Sequence, residues 1–246
     1  MGKIEIQFLG SGDARGSGGR FQTCILVRFG EENLLIDCGA SSLIAMNRFG
    51  VDPSSIDRLL ISHLHGDHFG GIPFLVLDGQ FARRTRPLLI AGPEGLEERV
   101  KASMEVFFPG SSKVDRKFSL SFAEFSPPRE TTLGSLQVTP FEGVHPSGSP
   151  SLALRIRLAG TIISYSGDTE WTEALLDAAR DADLFICEAY YFEKKIKFHL
   201  DYRTILDQLP RLGCRRIILT HMGQDLLSRL GEVRIDWAED GKKVVL

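Results

Sequence analysis

One short segment constrains this chain more than any other. An apolar stretch, Ile56 to Ser62, runs straight into His63-Leu64-His65-Gly66-Asp67-His68. Three of the six histidines fall within six consecutive positions. Imidazole nitrogen and carboxylate oxygen suit zinc and similar divalent ions. His63 and His65 stand two apart, so in an extended segment they point the same way. Asp67 and His68 follow a glycine, which we expect to relax the turn and aim them at a second centre. A polar loop with surface histidines would be the plain alternative, but a cluster this dense directly after a strand is far more specific than a single histidine.

The remaining histidines, His145, His199 and His221, each follow a predicted strand or sit in a turn-like segment, where a rigid scaffold can hold functional side chains. By itself His145, followed by Pro146, would be unremarkable. Asp168, in Gly167-Asp168-Thr169, could merely cap a helix beginning near Glu170.

The periodicities around these residues mix strands and helices. Ile4, Ile6 and Phe8 alternate with polar residues as in a half-buried strand. Phe21–Phe29 and Asn33–Asp37 read as a strand pair, and Ser151–Leu158 with Thr161–Ser166 reads as a hairpin turning at Ala159-Gly160. Leu88–Ala91, Leu120–Phe125, Leu136–Thr139, Leu184–Cys187 and Arg215–Thr220 are further strands. Helices are expected near Ser42 to Gly50, over Phe69–Gln80, from Pro93 onward, over Glu170–Ala179 and over Tyr202–Leu212, the last disturbed by Pro210. The expected class is α+β, two mixed sheets with helices outside, in one domain spanning 1–246. Strand order is not legible from these periods.

Composition narrows the partners. With 43% hydrophobic and 25% charged residues the chain can bury a core without staples. A net charge of −3 gives no general attraction to nucleic acid or anionic membrane. No apolar run approaches ~18 residues, so no spanning helix is expected. An early Glu5 does not suit a signal peptide, and Glu5 and Ile6 fit poorly with myristoylation at Gly2. The scattered Cys24, Cys38, Cys187 and Cys214 fit a reducing cytoplasm rather than a cysteine-rich zinc site.

The motif His63-x-His65-x-Asp67-His68 resembles the signature of the metallo-β-lactamase superfamily. Phe8-Leu9-Gly10-Ser11-Gly12, Leu34-Leu35-Ile36-Asp37-Cys38-Gly39, Ser166-Gly167-Asp168-Thr169 and Leu219-Thr220-His221 resemble its other segments in chain order. The resemblance implies an αββα sandwich with metals at one edge. It implies that His63, His65 and His145 hold one divalent ion, that Asp67, His68 and His221 hold another, and that Asp168 bridges them. Zinc is the expected ion, with manganese as the other candidate. A hydroxide between two such ions would be a nucleophile at neutral pH, and Asp67 is counted among the catalytic residues.

Cys187-Glu188-Ala189 and Phe198-His199-Leu200 are similar to the ribonuclease Z-like branch. There the implied role of His199 is to stabilise the transition state or protonate the leaving oxygen, with Glu188 orienting it. That branch implies a homodimer. Its tRNA-processing members carry a long arm between the segments matching His145 and Asp168, and this chain has room only for a hairpin. A small or cyclic phosphodiester is therefore the expected substrate and a tRNA precursor is not. A ribonuclease Z-type endonuclease, a lactone, ester or thioester hydrolase, and a non-catalytic metal-binding scaffold are the competing readings, and the Glu188–His199 pair discriminates the ester class. The loop Gly10 to Arg20 lacks a P-loop ending and is expected at the rim of the site. Arg20 and the run Arg83, Arg84 and Arg86 are expected to be solvated.

Overall fold

The computed structural model describes residues 3–246, so Met1 and the myristoylation question at Gly2 lie outside the described residues. Six strands form in order: β1 (Ile4–Gly10), β2 (Cys24–Phe29), β3 (Glu32–Ile36), β4 (Arg58–Leu60), β5 (Leu88–Gly92) and β6 (Leu120–Glu124). There follow β7 (Thr131–Leu133), β8 (Leu136–Glu142), β9 (Leu152–Leu158), β10 (Thr161–Tyr165), β11 (Leu184–Glu188), β12 (Ile217–Thr220), β13 (Asp236–Trp237) and β14 (Lys243–Val245). The helices are α1 (Ser42–Arg48), α2 (Gly66–Phe69), α3 (Ile72–Phe81), α4 (Leu96–Phe107), α5 (Ala174–Ala179), α6 (Tyr202–Leu212) and α7 (Gln224–Leu227). One sheet runs β14-β1-β2-β3-β4-β5-β6 and the other β13-β12-β11-β10-β9-β8-β7.

The period-2 pattern decides which face of each strand goes where. Ile4, Ile6 and Phe8 of β1, Ile25 and Val27 of β2, and Leu152, Leu154, Ile156 and Leu158 of β9 all enter the core between the sheets. Leu9, Cys24 and Leu26 face the other way, into a second core with Met46, Ile72, Val76, Val100 and Met104 from α1, α3 and α4. Phe185, Cys187 and Leu219 likewise pack against Leu175, Ile205, Leu212 and Leu226 from α5, α6 and α7. The result is the expected layering of helices, sheet, sheet and helices. No described helix is long and apolar enough to cross a membrane. All four cysteines are free, and Cys24, Cys38 and Cys187 are buried.

Several local expectations are corrected. The helix expected over Phe69–Gln80 is two, α2 and α3, divided at Gly70-Gly71. A Cβ at Gly71 would stand 2.3 Å from the Gly39 carbonyl oxygen, and one at Gly39 would stand 2.3 Å from that of Asp67. The two glycines let the turn after β3 lie directly on the histidine-bearing helix. Pro93 does not open a helix: α4 begins at Leu96, after Gly95 in the left-handed region. The helix expected from Glu170 starts only at Ala174. Arg84 is not solvated but 4% exposed. Its guanidinium donates to the carbonyls of Arg86, Pro87, Pro53 and Ile56, tying α3 to the start of β4 and the lead-in to β5.

Candidate metal centre

β3, β4, β5 and β6 run parallel, as do β10, β11, β12 and β13. Their carboxyl ends meet at one edge of the sandwich, the place where open α/β sheets hold ligands. Asp37 follows β3, His63 to His68 follow β4, Asp168 follows β10, Glu188 ends β11 and His221 follows β12. His145 follows β8 by three residues.

The structure brings every expected site residue together. His63, His65 and His145 form one group, and Asp67, His68, Asp168 and His221 form a second. His145 Nε2 stands 2.9 Å from His65 Nδ1, and His68 Nε2 stands 3.3 Å from His221 Nε2. The Asp168 Oδ2 atom lies 3.4 Å from both His68 Nε2 and His221 Nε2. It is also 3.8 Å from His63 Nε2 and 3.9 Å from His145 Nε2. One carboxylate oxygen therefore faces both groups.

Hydrogen bonds outside the cluster decide which ring nitrogens face inward. His68 Nδ1 donates to Asp37 Oδ2 at 2.7 Å. Ser62 Oγ gives its only hydrogen to the same oxygen at 2.9 Å, so His63 Nδ1, 3.0 Å from Ser62 Oγ, must donate to it. His145 Nδ1 donates to the Phe198 carbonyl at 2.7 Å. Each of these rings is left with its Nε2 turned into the cluster, toward Asp168 Oδ2. Ring nitrogens face one another between His145 and His65 and between His68 and His221, an arrangement that repels unless a proton or cation lies between them. His63 Nε2 and Asp168 Oδ1 are buried and have no hydrogen-bond partner, a state that buried polar atoms rarely tolerate. The donor set and these orphaned atoms fit divalent cations.

The charges agree. Burial and neighbouring His68 hold His63 well below its usual value, and burial lowers His145, so both are neutral donors. His221 is raised to about 9, because Asp168 and a bond to Asp67 outweigh its burial. Asp67 and Asp168 stay far below the usual carboxylate range despite burial, because His68 and His221 face them. In such an arrangement cations would take over the role of protons, and binding would release them.

His199 sits beside the second group. Its Nδ1 donates to Glu188 Oε2 at 3.0 Å, while Glu188 Oε1 accepts from the Thr169 amide at 2.6 Å. Both Glu188 oxygens are thus engaged, which suits an orienting group better than a ligand. The His199 ring stacks on Tyr190, with centroids 4.8 Å apart, and its side chain is 18% exposed.

Other expectations are corrected here. Gly66 relaxes nothing: its Cβ position is open space, and Asp67 and His68 are turned inward because α2 starts at Gly66. Arg20 is not simply solvated, since its Nη1 donates to the Ala238 carbonyl at 2.6 Å and to Ser11 Oγ at 3.3 Å. It braces the Gly10–Arg20 loop, as does Asp240, which accepts from the Ser11 and Phe21 amides. Sequence reasoning assigned no role to Asp37 or Ser62. The Asp-x-Gly turn at Asp37 was the available signal.

A sandwich of two mixed sheets with a histidine–aspartate cluster at their carboxyl edge is that of a metallo-β-lactamase fold hydrolase, and the chain is a metal-dependent hydrolase of this fold. Its residues 4–235 match the family described as anti-Pycsar protein Apyc1, and the chain belongs to that family. It is 28% identical over 273 aligned positions to a ribonuclease Z of Agathobacter rectalis, with 91% of this chain and 89% of the relative covered. Its fold is similar to that of the metallo-β-lactamase fold protein YhfI from Bacillus subtilis, with a TM-score of 0.80 at 21% identity and all of both chains covered. It is also similar to that of the short form of human tRNase Z, with a TM-score of 0.78 at 23% identity and 98% of each chain covered.

Proposed function

We propose that this chain, as one domain over residues 1–246, hydrolyses small or cyclic phosphodiesters. The observation that carries the reading is the His199–Glu188 pair, 3.0 Å apart and beside Asp168. An alkyl phosphodiester expels an alkoxide that takes up a proton, and it keeps charge on its phosphoryl oxygens in the transition state. An oriented second imidazole therefore serves it twice, whereas a carboxylic ester or lactone has no such phosphoryl oxygens.

In this reading His63, His65 and His145 would hold one cation and Asp67, His68 and His221 another, with Asp168 placed between the two groups. Two bound divalent cations would supply a deprotonated water at neutral pH and neutralise the phosphate. The protein's own part is to fix ring orientations through Asp37, Ser62 and the Phe198 carbonyl. Asp67 orients the attacking water. Glu188 opposes the effect of burial on His199 and raises its proton affinity. His199 then gives its proton to the leaving oxygen or hydrogen-bonds the charged transition state.

Between His145 and Asp168 stand only a short loop, β9 and β10. The alignment with the Agathobacter ribonuclease Z runs over 273 positions, more than the 246 residues of this chain, so that relative carries insertions this chain lacks. Both facts, with the net charge of −3, support a small substrate. The relative is named a ribonuclease Z, so a ribonuclease Z-type tRNA 3′ endonuclease is the second reading put to the test.

One panel separates these readings: bis(p-nitrophenyl) phosphate, nucleoside cyclic phosphates, a lactone, a thioester and a tRNA precursor, all at one stated salt concentration. We expect turnover of the small diesters and poor cleavage of the precursor. Efficient precursor cleavage with little small-diester turnover reverses the choice, and preference for the lactone or thioester moves the chain to the ester class. Two ions per chain, zinc before manganese, a cytoplasmic location and a homodimer belong to the same proposal. Elemental analysis, cell fractionation and light scattering read them out.

A further inference from the structure

His199 stands on a segment with little structure of its own. Between β11 and α6 the chain forms an isolated bridge from Tyr191 to Asp201 and a bond from the Tyr190 amide to the Leu200 carbonyl, but Glu193, Lys194, Lys195 and Lys197 are exposed. A loop of this kind does not by itself hold an imidazole to the tolerance that proton transfer requires.

The adjacent residue supplies the restraint. Phe198 has φ of 73°, in the left-handed region that a bulky residue enters only when its surroundings impose it. Phe198 is 37% exposed, with its ring edge-on to His145 at 6.4 Å between centroids. Two hydrogen bonds pin its backbone. The Phe198 amide donates to Glu170 Oε1 at 2.9 Å, and the Phe198 carbonyl accepts from His145 Nδ1 at 2.7 Å. Glu170 lies two residues past Asp168, and its own amide donates to the Val144 carbonyl, next to His145. Glu170 thereby joins three segments: its backbone ties the Asp168 turn to the His145 turn, and its carboxylate ties both to the His199 segment.

We propose that Glu170 is a positioning residue for the reaction, acting through Phe198. By accepting the Phe198 amide it holds the left-handed turn that directs one carbonyl at His145 and presents the next residue, His199, to Glu188. Glu170 touches none of the reacting atoms. The role rests on the phosphodiesterase reading of His199.

The test uses the full chain with its metals, as wild type, Glu170→Ala, Glu170→Asp, Glu170→Gln and His199→Ala. Two diesters are compared: bis(p-nitrophenyl) phosphate, whose phenolate leaves without a proton, and a nucleoside cyclic phosphate, whose alkoxide needs one. Glu170→Ala should lose about tenfold or more in kcat on the cyclic diester, a fraction of a full acid–base contribution, with KM nearly unchanged. The loss on the aryl diester should be smaller, and both rates are read at saturating metal, because the Phe198 carbonyl also orients His145. Glu170→Gln keeps the acceptor oxygen and should recover most of the rate. Glu170→Asp keeps the charge but shortens the reach, so it should stay impaired, and it serves if the alanine variant fails to fold. Wild-type kcat in Glu170→Ala or Glu170→Asp, equal losses on both diesters, or no recovery in Glu170→Gln would overturn the positioning role. A fully active His199→Ala would instead sink the phosphodiesterase reading on which it rests.

Discussion

Asp37 Oδ2 stands 2.7 Å from His68 Nδ1, and both side chains are wholly buried. The contact keeps a proton on Nδ1 and leaves Nε2 as the inward donor. Through Ser62 Oγ the same oxygen sets the tautomer of His63. One carboxylate therefore prepares a ring in each of the two groups. Asp37→Asn should lower metal affinity by about 10- to 100-fold, the scale seen when a carboxylate behind a ligating histidine is removed. Competition with a calibrated chelator measures it, and unchanged affinity would refute the role.

Metal loss and loss of proton transfer should separate. His63→Ala should lose metal and turnover together. His199→Ala should keep its metals and lose ~10²–10⁴ in turnover of an alkyl diester. Chelation of the wild type should lower Tm, because a ligand bound only by the folded chain stabilises it by about 4 kcal/mol at a thousand times Kd. Protein purified without chelator that contains no metal, and gains no activity with zinc or manganese, would remove the central proposal.

Arg84 supports the scaffold. It donates to four backbone carbonyls, of Pro53, Ile56, Arg86 and Pro87. Arg84→Ala leaves several of them unmet inside the protein, and a single unmet buried group costs ~1–3 kcal/mol. A fall in unfolding free energy of about 2 kcal/mol or more, with kcat intact, is the expected result of denaturant titration and kinetics.

Acid stability should depend on Asp236 at the edge strand β13. Partial burial would raise its pKa, but bonds from Lys242 and Arg216 outweigh that and hold it below the ordinary 3.8. A pKa depressed in the folded state gives stability that is present above the unfolded value and lost as pH falls through the folded one. Asp236→Asn should therefore be less stable than wild type at pH 6, and the gap should close toward pH 3. A gap that is the same at both pH values would count against this account.

What the sequence determined by itself was whatever neighbours along the chain dictate. The hairpin of β9 and β10 turns at Ala159-Gly160, and α6 runs from Tyr202 to Leu212 as its pattern predicts, though it continues through Pro210 instead of being disturbed there. Four candidate ligands were legible because they share the turn after β4. Alternation marked which faces of β1, β2 and β9 would be buried. Short edge strands were not legible: β13 has two residues and β14 three, and both exist because a neighbouring strand is there to pair with them. The fates of Arg20 and Arg84 were equally hidden, since a charged side chain reads as solvated until backbone carbonyls from distant segments surround it. The centre itself is a tertiary product. His65 meets His145 across 80 positions and His68 meets His221 across 153, because the two sheets pack with their carboxyl ends at one edge. Motif order hinted at those meetings, but only that packing sets the distances and ring orientations on which the chemistry depends.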